Sequence, residues 1–572
     1  MAKDDDGAAL GRRQVLGLSL GVAAAVGLAQ ESPAAAQTPA ASPATGLMES
    51  GPGLPIPTAV VQTHSGPVQG LVVDGVQSFK GLRYGAAPIG PLRWKPPQSP
   101  KPWTSPYDAS DFGAPAMQLA GGATVDASNA FGFQMHRVFT TPSELKVMNE
   151  DCLYLNVWSP GLESKKRPVM VWVHGGGYAY GSGSQPIYQG DGLAKAGDVV
   201  VVSVNHRLNV FGYLHLGDLM GPDYASSGTV GMQDLVLALQ WVRDNIEAFG
   251  GDPGNVMIMG QSGGGAKVST LLAMPSAKGL FHRAAIQSGP GLNVGRKPAA
   301  TEAAKKLLDE LNVKPGDIAA LQALPAQTIL DAALKLNHGA PGGVGGGPVL
   351  DEVVITRDPF TPDAPDASAD VPILVGWCKD EWTIFTAGEP WFGHMTEEDL
   401  QTRVKPFGEP GQRLLAAYRK AYPSYSPTYL WEQMISARVM LGSEILAARK
   451  AAKGGAPAYV YMVTWETPVE GGVFKTPHTM EIPFMLYSYD KVRTYVGPGP
   501  GPKHMADQIG GAWVAFARHG VPDHPGIPHW PAFNVSERPV MVFNTRSEVV
   551  KDPLPEVRQV LETLPQALML RG

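Results

Sequence analysis

Residues 255–269 read NVMIMGQSGGGAKVS, and the place of one serine in that run decides the fold class. Residues 256–259 (VMIM) form a short, continuous apolar stretch, the pattern of a strand buried on both faces. The stretch runs into Gly260-Gln261-Ser262-Gly263-Gly264, after which AKVSTLLA begins a helix. Strand, G-x-S-x-G and helix together describe a strained turn whose small neighbours let the serine project Oγ above a sheet. A phosphate cradle is excluded, because neither G-x-x-x-x-G-K-[ST] nor G-x-G-x-x-G is satisfied. Gly260 and Gly264 are expected to permit the turn, and Gly265 to let the helix start close to the sheet. Lys267 is expected on the solvated side of that helix.

Other continuous apolar runs recur along the chain: RPVMVWV at 167–173, DVVVVSV at 198–204 and VPILV at 371–375. Helix-like stretches at 230–249 and 301–311 lie between them. This alternation predicts α/β architecture with a mostly parallel central sheet. Residues 60–82 alternate in short segments and predict a small antiparallel sheet at the N-terminal side. The glycine-rich 339–347 reads as a long loop within one domain.

A serine that attacks a carbonyl needs donors for the oxyanion. His174-Gly175-Gly176-Gly177 follows RPVMVWV, and an HGGG loop is one form of that device. Gly176 and Gly177 are expected to donate two N–H groups and Gly263 a third, because backbone approaches closely where side chains are absent. His174 is expected to position the loop. Ser262 also needs a base, and the base needs a carboxylate to orient it. Eight histidines follow Ser262, and spacing alone does not choose among them.

Composition narrows the partners. A net charge of −6 without a strongly basic segment argues against nucleic acid. Arg12-Arg13 precedes a weakly apolar run over 15–29, too short to span a bilayer. With Ala34-Ala35-Ala36 as a cleavage site, residues 1–36 read as a twin-arginine-type signal peptide. The precursor is therefore expected to use the twin-arginine export machinery. The mature protein is expected in the periplasm or outside the cell, without stable membrane insertion. Residues 37–57 are Pro/Ala/Ser-rich and read as a disordered spacer, leaving 58–572 as a single domain. Cys152 and Cys378 do not amount to a disulfide framework or a zinc site.

The segment FGGDPGNVMIMGQSGG at 249–264 resembles the serine signature of type-B carboxylesterases, the carboxylesterase/cholinesterase family. EDCLYLNV at 150–157 resembles that family's second signature, and FKGLRYGAAPIGPLRWKPP, VNHRLNVFGYL and MADQIGGAWVAFARHGVP agree with it. The likeness runs from about residue 60 to the C-terminus and implies an α/β-hydrolase fold. It also implies a serine esterase that needs no cofactor or metal and acts on a small-molecule ester.

Carried over by position, the family's acid falls in Lys379-Asp380-Glu381, at Glu381, with Asp380 as the adjacent competitor. Its histidine, which precedes an E-[apolar]-P-F stretch, falls at His478 in HTMEIPF. The resemblance thus implies ester hydrolysis through an acyl-enzyme on Ser262, with His478 as base. An amidase, carbamate hydrolase or specialised xenobiotic-ester hydrolase would use the same triad. A non-catalytic adhesion-type relative would be expected to lack one of these residues.

Several positions depart from the family. Gln261 and Gly263 stand where relatives often carry Glu and Ala, which weakens any case for a cationic substrate. Trp382 stands where many have Gly, so the local turn is expected to differ. The partner region of Cys152, DFGAPAMQ, lacks a cysteine, so the family's N-terminal disulfide is expected to be absent. Residues 118–147, 339–351 and 385–392 are candidate substrate-facing loops, with ordinary packing as the alternative, and none of them is carried as a binding residue.

Overall fold

Every residue of Arg167–Val173 is buried, as its unalternating apolar run predicts. In this computed structural model, which describes residues 54–118, 148–337 and 343–564, that strand lies inside a twelve-stranded sheet. In chain order the strands are β1 (Ile56–Pro57), β2 (Leu71–Val73), β3 (Val76–Arg83) and β4 (Tyr154–Ser159). There follow β5 (Arg167–Val173), β6 (Val200–Val204), β7 (Gly251–Gln261) and β8 (Arg283–Gln287). The last four are β9 (Ile373–Cys378), β10 (Ala458–Val463), β11 (Pro539–Phe543) and β12 (Glu548–Lys551).

Across the sheet the order is β1-β2-β3-β4-β6-β5-β7-β8-β9-β10-β11-β12. Neighbours from β6 to β11 are parallel, and the flanks are antiparallel. Because β6 and β7 lie on opposite sides of β5, the order reverses there. The carboxyl ends of strands at such a reversal open onto a crevice.

Alternate residues of the central strands feed two buried layers. Val169, Val171 and Val173 of β5 join Ile258, Val268 and Leu271 on one face. Met170 and Trp172 join Met257, Met259, Trp513 and Phe516 on the other. Helices α1 (Val230–Asn245), α2 (Gly263–Ala273) and α3 (Pro427–Lys453) pack on the first face, and α4 (Gly501–His519) on the second. Each fully buried Val or Met side chain contributes about 1.5–3 kcal/mol, so strands apolar at every position hold the sheet from both sides. A third cluster, including Trp94, Phe211, Leu307 and Ile329, packs the Lys297–Glu310 and Ala326–Leu336 helices.

The N-terminal reading resolves into two parts. β1 to β3 extend the main sheet as antiparallel strands. Val61–Thr63, Gly66–Gln69 and Tyr107–Asp108 form a separate three-stranded sheet, with its last pair parallel. The sheet begins at Ile56, two residues inside the expected spacer. The export segment and residues 37–53 of that spacer lie outside the described residues. Both cysteines are buried and free. Among the described residues no helix is long and apolar enough to cross a membrane.

Candidate active site

β5 and β7 are parallel neighbours with Gly260 opposite Val173, so the loops leaving them meet at one end of the sheet. After β7 the chain turns at Ser262, whose φ of 58° and ψ of −127° are strained for a side-chain-bearing residue. Such a backbone costs about 1–3 kcal/mol and persists where the surroundings enforce it. The Ser262 N–H donates to Gln287 O at 2.8 Å, and its carbonyl accepts from Ala266 N at 3.0 Å. The two glycines of the turn have no room for a side chain. A Cβ on Gly264 would lie 2.1 Å from Val173 O, and one on Gly260 would lie 2.6 Å from the Gly264 backbone.

The loop after β5 places Gly176 and Gly177 beside α2, both at positive φ. Gly263, the first residue of α2, faces Gly177 so closely that a Cβ there would lie 2.1 Å from Gly177 O. Among the described residues, none of the Gly176, Gly177 and Gly263 N–H groups donates a backbone hydrogen bond. His174 lies beneath the loop, 1% exposed, with Nδ1 2.9 Å from Gly175 O and its ring stacked on His206. Burial first and Lys267 second lower its pKa to about 3, so it is neutral and suited to positioning.

Lys267 corrects the sequence reading. It is fully buried, not solvated, and its ammonium donates to Gly177 O at 2.8 Å and His174 O at 3.2 Å. Burial lowers its pKa to about 7. The signal was present in the sequence, since GGGAKVSTLLA has one charged residue in an otherwise uncharged helix.

β9 ends at Cys378, and the turn after it separates the two acidic candidates. Glu381, with no exposed surface, places Oε2 against His478 Nδ1 and accepts from Cys378 N at Oε1 over 2.8 Å. Asp380 points elsewhere, accepting from Gln433 Nε2 at 2.7 Å, Thr476 N at 3.1 Å and Tyr425 OH at 3.3 Å. Burial raises its pKa to about 6. Trp382 adopts ordinary helical angles, φ −90° and ψ −15°, so this turn has no need of the family's glycine. Its ring stacks under Arg438 at 3.9 Å.

His478 is held from several sides, through its backbone and its ring. Tyr495 OH donates to the His478 carbonyl at 2.7 Å, and Phe385 lies 5.4 Å away ring to ring. Gln261, the residue before Ser262, places its amide Nε2 3.0 Å from His478 Nε2. With Nδ1–H donated to Glu381, Nε2 carries the lone pair and accepts from that amide.

Behind the pair lies a carboxyl that sequence reasoning did not single out as part of the site. Glu481, one turn after His478, is buried without exposed surface and accepts from Cys378 Sγ at 3.0 Å. Burial, then the neighbouring Glu381, push its pKa up. Among the described residues no group of three His, Cys, Asp or Glu is placed to hold a metal.

A cavity of about 780 Å3 lies beyond Tyr178, lined by Tyr213, His215, Arg296 and Val349 among others. Ser262, Glu381 and His478 do not line it, so the chemistry is located by side-chain geometry rather than by this cavity. Of the candidate substrate-facing loops, 119–147 and 339–342 lie outside the described residues. Phe385 is exposed beside His478.

Known proteins resemble this chain over most of its length. Residues 57–561 match the model of the carboxylesterase family. A para-nitrobenzyl esterase of Bacillus subtilis is 31% identical over 507 residues, covering 88% of this chain and 98% of the relative. A phenmedipham hydrolase of Pseudarthrobacter oxydans is 31% identical, covering 86% and 97%. The crystal structure of a Geobacillus stearothermophilus carboxylesterase superposes with a TM-score of 0.76 at 37% identity, covering 88% of this chain and all of the other.

Proposed function

Because the chain belongs to the carboxylesterase family and is a carboxylic ester hydrolase of α/β-hydrolase fold, we propose that Ser262, His478 and Glu381 carry its chemistry through an acyl-enzyme. His478 Nε2 takes the proton from Ser262 Oγ as the oxygen attacks the ester carbonyl. Glu381 holds the imidazole in the Nδ1–H tautomer and stabilises the imidazolium that forms. Gly176, Gly177 and Gly263 donate their N–H groups to the tetrahedral oxyanion, at about 3 kcal/mol for each donor. His478 then protonates the leaving alcohol, and the acyl group stays on Ser262. In the second half His478 activates water, the ester to Ser262 is hydrolysed, and the acid departs.

One observation carries the reading. The amide of Gln261, adjacent to the strained serine, touches His478 Nε2, so the base lies at the elbow with its other nitrogen on a buried carboxylate. Ser262→Ala tests it. Hydrolysis of a p-nitrophenyl ester falls by about 10^4-fold or more, with the fold intact by circular dichroism. Retention of the rate sinks the assignment.

The substrate is a small ester; the named relatives differ in the compounds they act on, so neither the acyl nor the alcohol part is inherited from them. A panel varying acyl length and alcohol size, with one amide and one carbamate, separates ester specificity from the broader use of the same triad. For the precursor, the Arg12-Arg13 pair ahead of an uncharged run supports twin-arginine export. Replacing both arginines by lysine is expected to leave the enzyme in the cytoplasm.

A further inference from the structure

Lys267 is five residues beyond Ser262 on α2 and has no exposed surface. Its ammonium meets no carboxylate among the described residues. Its acceptors are two backbone carbonyls, Gly177 O at 2.8 Å and His174 O at 3.2 Å, and it lies 5.3 Å from the Tyr178 ring centroid. A buried, unpaired ammonium opposes folding, and an apolar residue of similar length would avoid that cost. The position therefore calls for a role besides packing.

The two carbonyls bracket the segment that matters. His174 O fixes the peptide entering the glycines, and Gly177 O fixes the peptide leaving them. Between these points lie the peptides that carry the Gly176 and Gly177 N–H groups. The clamped Gly177 carbonyl also takes the place that a side chain on Gly263 would need, 2.1 Å from a Cβ there. The glycine at 263, where relatives often have alanine, and the lysine at 267 are thus two sides of one contact.

We propose that Lys267 is a positioning residue of the oxyanion hole: it clamps the carbonyls of His174 and Gly177 so that Gly176 and Gly177 present their N–H groups, and Gly263 lacks a side chain to admit the clamped loop. This rests on the reading that those N–H groups receive the oxyanion. The nearby ionisable groups are compatible with a lone cation beneath the loop. His174 and His206 stack on each other, and burial together with Lys267 keeps both neutral. Tyr178 is likewise held neutral by burial.

The test compares the wild-type enzyme with Lys267→Met, Lys267→Ser and Gly263→Ala, singly, and with the Lys267→Ser/Gly263→Ala pair. Lys267→Met is expected to lower kcat on a p-nitrophenyl ester by about 10- to 100-fold, with KM within about threefold. Affinity for a trifluoromethyl ketone, which forms an oxyanionic adduct on the serine, falls by a similar factor. Gly263→Ala alone also lowers kcat, but the pair loses less than the product of Gly263→Ala and Lys267→Ser, because the released loop can retreat from the new methyl group.

If Lys267→Met does not fold, Lys267→Ser, whose side chain is too short to reach either carbonyl, takes its place in the same measurements. Unchanged kcat, a change confined to KM, or strictly multiplicative losses in the pair would overturn the proposal. Stoichiometric labelling of Ser262 by a fluorophosphonate is measured on every variant. Absence of labelling in the wild type contradicts the triad reading, whereas full labelling with unchanged kcat in Lys267→Met contradicts only the clamp.

Discussion

Gln261 Nε2 lies 3.0 Å from His478 Nε2, so the residue beside the nucleophile donates to the nitrogen that must accept the serine proton. A neutral amide there is compatible with a neutral imidazole. A carboxylate at the same place would favour the imidazolium. Gln261→Glu is therefore expected to move the acidic limb of the kcat/KM profile to higher pH by about one unit and to lower activity at pH 6–7. An unchanged profile would mean that this side chain does not face the base in solution.

The acid assignment separates cleanly from its neighbour. Glu381→Gln keeps the shape but removes the negative charge that faces His478 Nδ1, and kcat is expected to drop by about 10^4-fold. Asp380→Asn, whose carboxyl serves Gln433, Thr476 and Tyr425 instead, is expected to change kcat by less than about tenfold. Steady-state kinetics of the two variants decides the question, and equal losses would contradict it.

Glu432 makes the stability of the fold depend on pH. It has no exposed surface, and Thr386 donates to Oε1 at 2.8 Å. Burial first, with Asp380 adding to it, raises its pKa to about 8. The folded state then holds a proton that the unfolded chain releases near its ordinary pKa. This group's contribution is complete below that value and is lost as pH rises through about 8. Glu432→Gln is expected to raise Tm at pH 8, by an effect on the order of a few kcal/mol, and to leave it nearly unchanged at pH 4.5. Thermal melts across that range check it, and parallel curves for the two proteins would refute it.

The turn itself has a steric test. A methyl group on Gly264 would overlap Val173 O, so Gly264→Ala is expected to lower Tm and to slow fluorophosphonate labelling of Ser262 by about 100-fold or more. Labelling at the wild-type rate would show that the strand-to-helix junction tolerates a side chain.

Much of the frame was legible in the residues because its strands are apolar at every position. RPVMVWV became β5 with the same limits. VMIM became the middle of an eleven-residue β7, since Gly251 and Gln261, outside the apolar run, also pair with β5 and β8. RAAIQ, two of whose five residues are alanine, carries little strand signal, yet it forms β8 between β7 and β9. At the site, glycine density pointed to the turn and the loop. The choice of His478 among eight histidines came only from family likeness, because a base is defined by contacts across 97 positions of chain. Lys267 was misread because spacing from the glycines was weighed and the apolar character of its helix was not. Glu481 was quoted as part of a motif, but nothing in HTMEIPF says that its carboxyl lies behind the acid.

The measurement closest to the central claim is trapping of the acyl-enzyme. A p-nitrophenyl ester is mixed with excess enzyme, quenched in acid within the first turnover and mapped by peptide mass. The account predicts one acyl group per chain, on the peptide containing Ser262, and none in Ser262→Ala. Acylation at another residue, or turnover without any acyl adduct in a variant that deacylates slowly, would contradict it.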